Sequence, residues 1–370
     1  MGFLTEAPRI GGPLTSRYNG RDQLCCGPEP RIKLTIPETS FNFRPVDQAH
    51  IALGLVIVTA TVACLLFRYI RAAKQRRFAA RGWVGLTILV VAEGLLFAGH
   101  RWVAIYFTPL AWTAYLLLID AAVFGLRGNS RLSGGPREFL KLAFWSVPLW
   151  LVFEAYNLRL QNWTYVGLPA SPLLQGIGYV WSFATIWPAI LETADFLQAL
   201  RLFRDTPARP WVLGTSARVS LFMVGIVLVI VPILVPRSLG QYLFGSVWVG
   251  FILLLDPLNY FARSPSVLGE LERGRRATLG SLLAAGLVCG ILWEFWNYWA
   301  AAKWHYTFPI MQGWKIFEMP LLGYLGFPPF GVECFVMYEF LGTLRRQLRV
   351  LHGASEFSSP QIAKQPGAQR

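Results

Sequence analysis

The sequence predicts an all-α integral membrane protein of about nine transmembrane helices, one N-terminal span followed by two tandem parallel four-helix repeats. Three observations carry that reading. Apolar runs long enough to cross a bilayer, which takes about 20 residues each, recur along the chain. Basic residues collect in alternate connections. Several short motifs return in the same order in the second half. Only 15% of residues are charged, against about 25% in soluble domains. The net charge of +14 would suggest nucleic acid on a soluble chain. Here it sits in loops on one side, so no nucleic-acid partner is expected.

Residues 1–49 read as a polar, Pro- and Gly-rich extramembrane arm without an apolar leader core. The adjacent Cys25 and Cys26 lie in it. Spans follow near 50–68, 83–100, 105–126, 140–157, 175–197, 215–236, 242–261, 278–299 and 320–342. The organisation is therefore an arm (1–49), a first span with a basic loop (50–81), repeat one (82–212), repeat two (213–345) and a tail (346–370). Orientation follows from Lys and Arg in the connections. Arg68 to Arg81, Arg127 to Lys141, Arg201 to Arg218, Arg263 to Arg276 and Arg345 to Arg349 mark one side. The other side holds Arg101, Arg159, Arg237, Lys303 and Lys315. This places the C-terminus in the cytoplasm and the arm outside, in a membrane of bacterial inner-membrane type.

Self-similarity is the strongest signal. Trp112-x2-Tyr115-x-Leu117-Leu118-x-Asp120 matches Trp248-x2-Phe251-x-Leu253-Leu254-x-Asp256. Arg127-x2-Ser130-x-Leu132 then matches Arg263-x2-Ser266-x-Leu268. Phe153-Glu154-x-Tyr156-Asn157 matches Trp293-Glu294-x-Trp296-Asn297, Trp163-x-Tyr165 matches Trp304-x-Tyr306, and Pro188-x3-Glu192 matches Pro329-x3-Glu333. An even number of spans per copy points both copies the same way, related by a pseudo-twofold axis along the membrane normal.

Carboxylates inside spans are costly and normally face the bundle interior. Glu154, Glu192, Glu294 and Glu333 are the candidate catalytic acids, because a carboxyl in an apolar site can serve as a general acid. Asn157 and Asn297 lie three residues after the outer acids on the same helix face and are expected to orient them. Trp163, Tyr165, Trp304 and Tyr306 are candidate substrate-binding residues whose π faces would stabilise a cation. Glu154 is expected to meet Glu192, and Glu294 to meet Glu333. Asp120 with Arg127, and Asp256 with Arg263, read as structural pairs, with the following serines suited to caps. The alternative for the acids is a purely structural role, bonding helix to helix. No cofactor and no metal is expected. The four histidines lie at span ends or in loops, no nucleotide-binding glycine motif follows a strand, and no Cys/His cluster has zinc spacing.

The Phe153–Asn157 and Trp163–Tyr165 blocks, followed by Pro188-x3-Glu192, resemble the integral-membrane lycopene cyclases of the heterodimeric or fused type, across roughly 105–200 and 245–345. Glu154 and Glu294 stand where that family has Asp, Asn157 and Asn297 where it has Gly, and the Pro-to-Glu spacing is longer. The resemblance implies binding of an isoprenoid or carotenoid and its redox-neutral, acid-catalysed cyclisation. Two other readings stand beside it. One is a non-catalytic subunit of a membrane complex, with partners held by the arm. The other is a secondary transporter with parallel repeats.

Overall fold

The structure, a computed structural model, describes residues 45–72, 78–203 and 209–357. The arm with Cys25 and Cys26, residues 73–77 and 204–208, and the tail from residue 358 lie outside the described residues. In chain order the helices are α1 (Pro45–Ala72), α2 (Ala80–Phe97), α3 (Arg101–Ile105), α4 (Phe107–Arg127), α5 (Arg131–Gly134), α6 (Pro136–Leu160) and α7 (Pro172–Ala199). The second half continues with α8 (Thr215–Leu234), α9 (Arg237–Gly240), α10 (Phe244–Phe261), α11 (Val267–Glu272), α12 (Ala277–Trp299) and α13 (Phe327–Phe357). Strands β1 (Trp163–Val166) and β2 (Lys303–Tyr306) pair with each other, as do the two-residue strands β3 (Lys315–Ile316) and β4 (Met319–Pro320). A 3-10 turn, Leu321–Gly326, leads into α13.

Eight helical segments among the described residues are long and apolar enough to cross a membrane. The α7 helix, 28 residues long, is not one of them. Its residues Phe183 to Leu197 are almost all buried by neighbouring helices, so it is spared the need to be apolar towards lipid. Among the described residues nine helices have 18 residues or more. The ends carrying Arg127, Arg131, Arg263 and Arg345 form a basic face, and the β1–β2 pair lies at the opposite, hairpin face.

The duplication is visible in the packing. Helix α2 packs on α4 as α8 packs on α10, α4 on α7 as α10 on α13, and α6 on α7 as α12 on α13. The contacts agree at residue level. A Cβ on Gly85 would lie 2.9 Å from Leu117 Cβ and 3.1 Å from Leu118 N. On Gly225 it would lie 2.8 Å from Leu253 C and 2.7 Å from Leu254 Cα, the equivalent leucines. Absent side chains at these positions let the backbones approach, which is how small residues join helices in lipid.

The acids at the basic face also correspond. Asp120 accepts from Leu132 N at 3.0 Å and Asp256 from Leu268 N at 2.8 Å. Ser130 and Ser266 cap α5 and α11 as expected. The arginine pairing differs from expectation. Asp120 is bonded by Arg81 of α2, not by Arg127, and Asp256 spends its second oxygen on Val267 N at 2.8 Å. Seven residues along one helix is ~10 Å, too far for a direct pair.

Prolines inside α6, α7, α8 and α10 are accommodated locally. In α7, Ser146 of α6 donates to Phe183 O and accepts from Trp187 N just before Pro188. A neighbour's hydroxyl thus repairs the interrupted ladder.

Replacing Gly85 or Gly225 by Val should lower the melting temperature in detergent, by an overpacking cost of roughly 1–3 kcal/mol each. Gly94→Ala, with nothing within 4 Å of the added Cβ, should leave it unchanged. Equal effects at all three positions would contradict this packing.

Candidate functional site

The site begins with the loops that follow α6 and α12. Each leaves its helix two or three residues after a repeated asparagine and turns back at once. Asn157 Nδ2 donates to Trp163 O at 2.9 Å and its Oδ1 accepts from Trp163 N at 3.1 Å. Asn297 does the same for Trp304, at 2.9 and 3.0 Å. These side chains therefore clamp, through its backbone, the first turn of the loop that follows each helix. They do not orient the acids, as the sequence had suggested.

The clamped segments become β1 and β2. Their antiparallel register sets Trp163 opposite Tyr306, Thr164 opposite His305 and Tyr165 opposite Trp304. Exchanging the two copies turns the first of these pairs into the third and leaves the second on itself. A twofold axis through the Thr164–His305 pair produces that pattern.

Side chains of β1 and β2 reach Glu154 and Glu294. Tyr165 donates to Glu154 Oε1 at 2.6 Å, and Tyr306 to Glu294 Oε1 at 2.7 Å. The two acids then differ. Glu154 is half-buried, and the same oxygen also accepts from Trp150 Nε1 at 2.8 Å and Trp163 Nε1 at 3.3 Å. Glu294 is fully buried and its Oε2 has no hydrogen-bond partner. Trp304 Nε1 donates to the Tyr306 hydroxyl at 2.9 Å instead of to the acid. Burial, and after it the neighbouring carboxyl, pushes both phenols well above the ordinary tyrosine range. Both are neutral hydrogen-bond donors at physiological pH.

Beneath the strand pair lies a cavity of about 440 Å³ walled by both copies, within the ~300–1,000 Å³ of small-molecule sites. Trp163, Tyr165, Trp304 and Tyr306 are in its wall. So are Trp112 and its counterpart Trp248, with Trp150, Trp293 and Phe330. Phe330 lies 6.1 Å from Trp150, 6.0 Å from Trp293 and 6.4 Å from Trp248, centroid to centroid. These five wall residues were not singled out from sequence as binding residues. The signal was present, because Trp112 and Trp248 open the first repeated block. Among the wall residues Lys303 is the one cation, and it is committed to Glu318 at 2.7 Å and Tyr298 O at 3.1 Å.

Glu192 and Glu333 are not part of this wall. Both are fully buried, and neither receives a hydrogen bond from an N–H or hydroxyl donor. The expected Glu154–Glu192 and Glu294–Glu333 contacts do not form. Glu154 is six residues from the hairpin end of α6, ~9 Å, whereas Glu192 is twenty residues along α7, ~30 Å. Glu192 faces Asp120, Arg131 and Asp195 towards the basic face, and Glu333 faces Tyr156 of the first copy.

Compared with known proteins, the chain matches no protein-family model, no curated protein and no solved structure.

The raised phenols predict an alkaline weakness. A group whose folded-state pKa exceeds its unfolded value contributes stability below the unfolded value, about 10 for tyrosine, and loses it as pH rises through and beyond that. Melting temperature should therefore fall above pH ~10, and fall less steeply in Tyr165→Phe/Tyr306→Phe. Identical alkaline profiles for the two proteins would contradict the burial of these hydroxyls.

Proposed function

We propose that this membrane protein binds an isoprenoid or another neutral lipid in the cavity between its two copies. The observation that carries the proposal is the wall itself. It is dense in tryptophan and phenylalanine, lies among membrane-spanning helices, and offers no uncommitted cation for a phosphate. Such a lining suits a hydrocarbon body, and indole faces also favour a cationic or electron-poor group. The acid–phenol pairs Glu154–Tyr165 and Glu294–Tyr306 supply the polar contacts, with Tyr165 and Tyr306 at the wall. The basic face is proposed to be cytoplasmic, so the cavity opens in the outer half of the membrane.

If a reaction occurs, the resemblance to the lycopene cyclases suggests its class. A proton is added to an isoprenoid double bond, the resulting cation closes a ring, and a proton is lost again. No oxidant or reductant is consumed. The Glu294–Tyr306 pair is the better candidate for proton exchange, because Glu294 is fully buried with one donor, Tyr306, on its Oε1, while Glu154 is half-buried and its Oε1 accepts from three. A secondary transporter is the second reading, and the observation in its favour is the 3-10 break before α13 beside the cavity.

Protein purified in mild detergent from cells that make polyprenoid lipids should carry a neutral isoprenoid or lipid in near-stoichiometric amount, detected by solvent extraction and mass spectrometry. Trp293→Ala and Phe330→Ala should lose it while remaining folded. Wild-type protein that retains no lipid, or variants that retain it in full, would count against the reading.

A further inference from the structure

The two copies treat the same seam of the cavity differently. In the first copy the seam between α4 and α7 is closed. Trp181 Nε1 donates to Thr113 Oγ1 at 3.0 Å, and Tyr106 donates to Leu174 O at 3.0 Å. The rings of Tyr106 and Trp181 stack at 6.3 Å. In the repeat frame Thr113 corresponds to Val249 and Trp181 to Leu322, whose side chains cannot form a hydrogen bond. Tyr106 corresponds to Tyr242.

The backbone differs at the same place. Helix α7 is continuous from Pro172. Its counterpart α13 begins only at Phe327, which corresponds to Ile186, fourteen residues later. Pro328 and Pro329 fit the start of a helix, where a missing N–H costs nothing. The stretch before it is the β3–β4 hairpin and the 3-10 turn Leu321–Gly326. On this side alone the wall is a 3-10 turn in place of an α-helix.

Exposure shows the consequence. Val249, Leu322 and Leu325 all line the cavity, yet they are 39%, 49% and 70% exposed. Three apolar side chains thus belong both to the cavity wall and to the outer surface of the helical bundle. An apolar wall continuous with an apolar surface is costly in water and neutral in hydrocarbon.

We propose that the seam between α10 and the Leu321–Gly326 turn is a lateral portal, through which a bilayer-dissolved lipid chain passes into the cavity from the hairpin-side leaflet. The occupant of the portal is a hydrocarbon chain, because all three lining side chains are aliphatic. The first-copy seam is the closed counterpart. This rests on the cavity being the ligand site, but the test below does not require any ligand to bind there.

The test places a thiol in the cavity and asks from which phase it is reached. Thr108 is buried, lines the cavity on α4 and is close in size to cysteine. Thr108→Cys is made in a background with Cys25, Cys26 and Cys64 replaced by Ser, leaving the fully buried Cys289 and Cys334. In lipid nanodiscs, N-phenylmaleimide, which partitions into bilayers, should label the thiol faster than a sulfonated maleimide. Val249→Thr/Leu322→Trp, which installs the first-copy latch, should slow the phenylmaleimide reaction. Leu325→Trp, which only adds bulk, should slow it independently. An unchanged melting temperature would show that both variants fold. Equal labelling by the two reagents, or undiminished labelling in both seam variants, would overturn the portal. Loss of co-purified lipid affects the ligand reading and leaves this outcome readable by itself.

Discussion

The four residues of β1 have no sheet to join within their own copy, and neither do those of β2. Their backbone groups are satisfied by each other, across the boundary between the copies. Polar backbone near the membrane cannot be left unpaired, so each copy completes the other. The Asn157 and Asn297 clamps fix where each strand begins, and the pairing fixes the register. From that register follows the rest of the site. Trp163 and Tyr165 stand over one half of the cavity, Trp304 and Tyr306 over the other, and each tyrosine meets the acid of its own copy.

Duplication supplies symmetry, and the chemistry lies in its departures. One acid is half-buried and takes three donors on one oxygen, while its counterpart is fully buried and takes one. One fourth helix is continuous while the other begins late. The interior near the basic face also diverges. Tyr115 and Thr193 form a 2.7 Å hydrogen bond, and Thr193 lies 3.3 Å from Cys289 Sγ. In the second copy their counterparts are Phe251, Cys334 and, for Cys289, Leu149. Asp195 pairs with Arg131 at 2.7 Å, where the second copy has Val336 and Val267. Polar interior is thus retained around Glu192 and largely removed around Glu333. A buried carboxyl that receives no donor is costly when ionised, and one stands in each copy.

The helical membrane architecture and the duplication were legible in the sequence, because long apolar runs and ordered repeats survive without any knowledge of contacts. Four aromatic positions near the acids, Trp163, Tyr165, Trp304 and Tyr306, stood out because they follow the acids in repeated blocks, whereas Trp112, Trp150, Trp248, Trp293 and Phe330 of the same wall did not. The depth of Glu192 was misjudged. Adjacent antiparallel helices suggested a meeting with Glu154, but counting residues from the shared loop separates them by ~20 Å. The asparagines were misjudged for another reason. Their partner is backbone that returns only after the helix ends, and a backbone acceptor leaves no mark in a pattern of side chains. Arg81 as the partner of Asp120 comes from a different helix, a relation that spacing along one helix cannot express.

The central claim is that the two copies are joined over the cavity by β1 and β2 in this one register. Thr164 and His305 face each other directly, and facing residues of antiparallel strands have Cα atoms ~4.5–5.5 Å apart, within disulfide reach. The decisive measurement is oxidation of Thr164→Cys/His305→Cys in the background free of Cys25, Cys26 and Cys64, with a protease site inserted between α7 and α8. After mild oxidation and cleavage the two halves should run as one band on a non-reducing gel and separate on reduction. Halves that separate without reduction, under conditions where both thiols have been oxidised, would contradict that register.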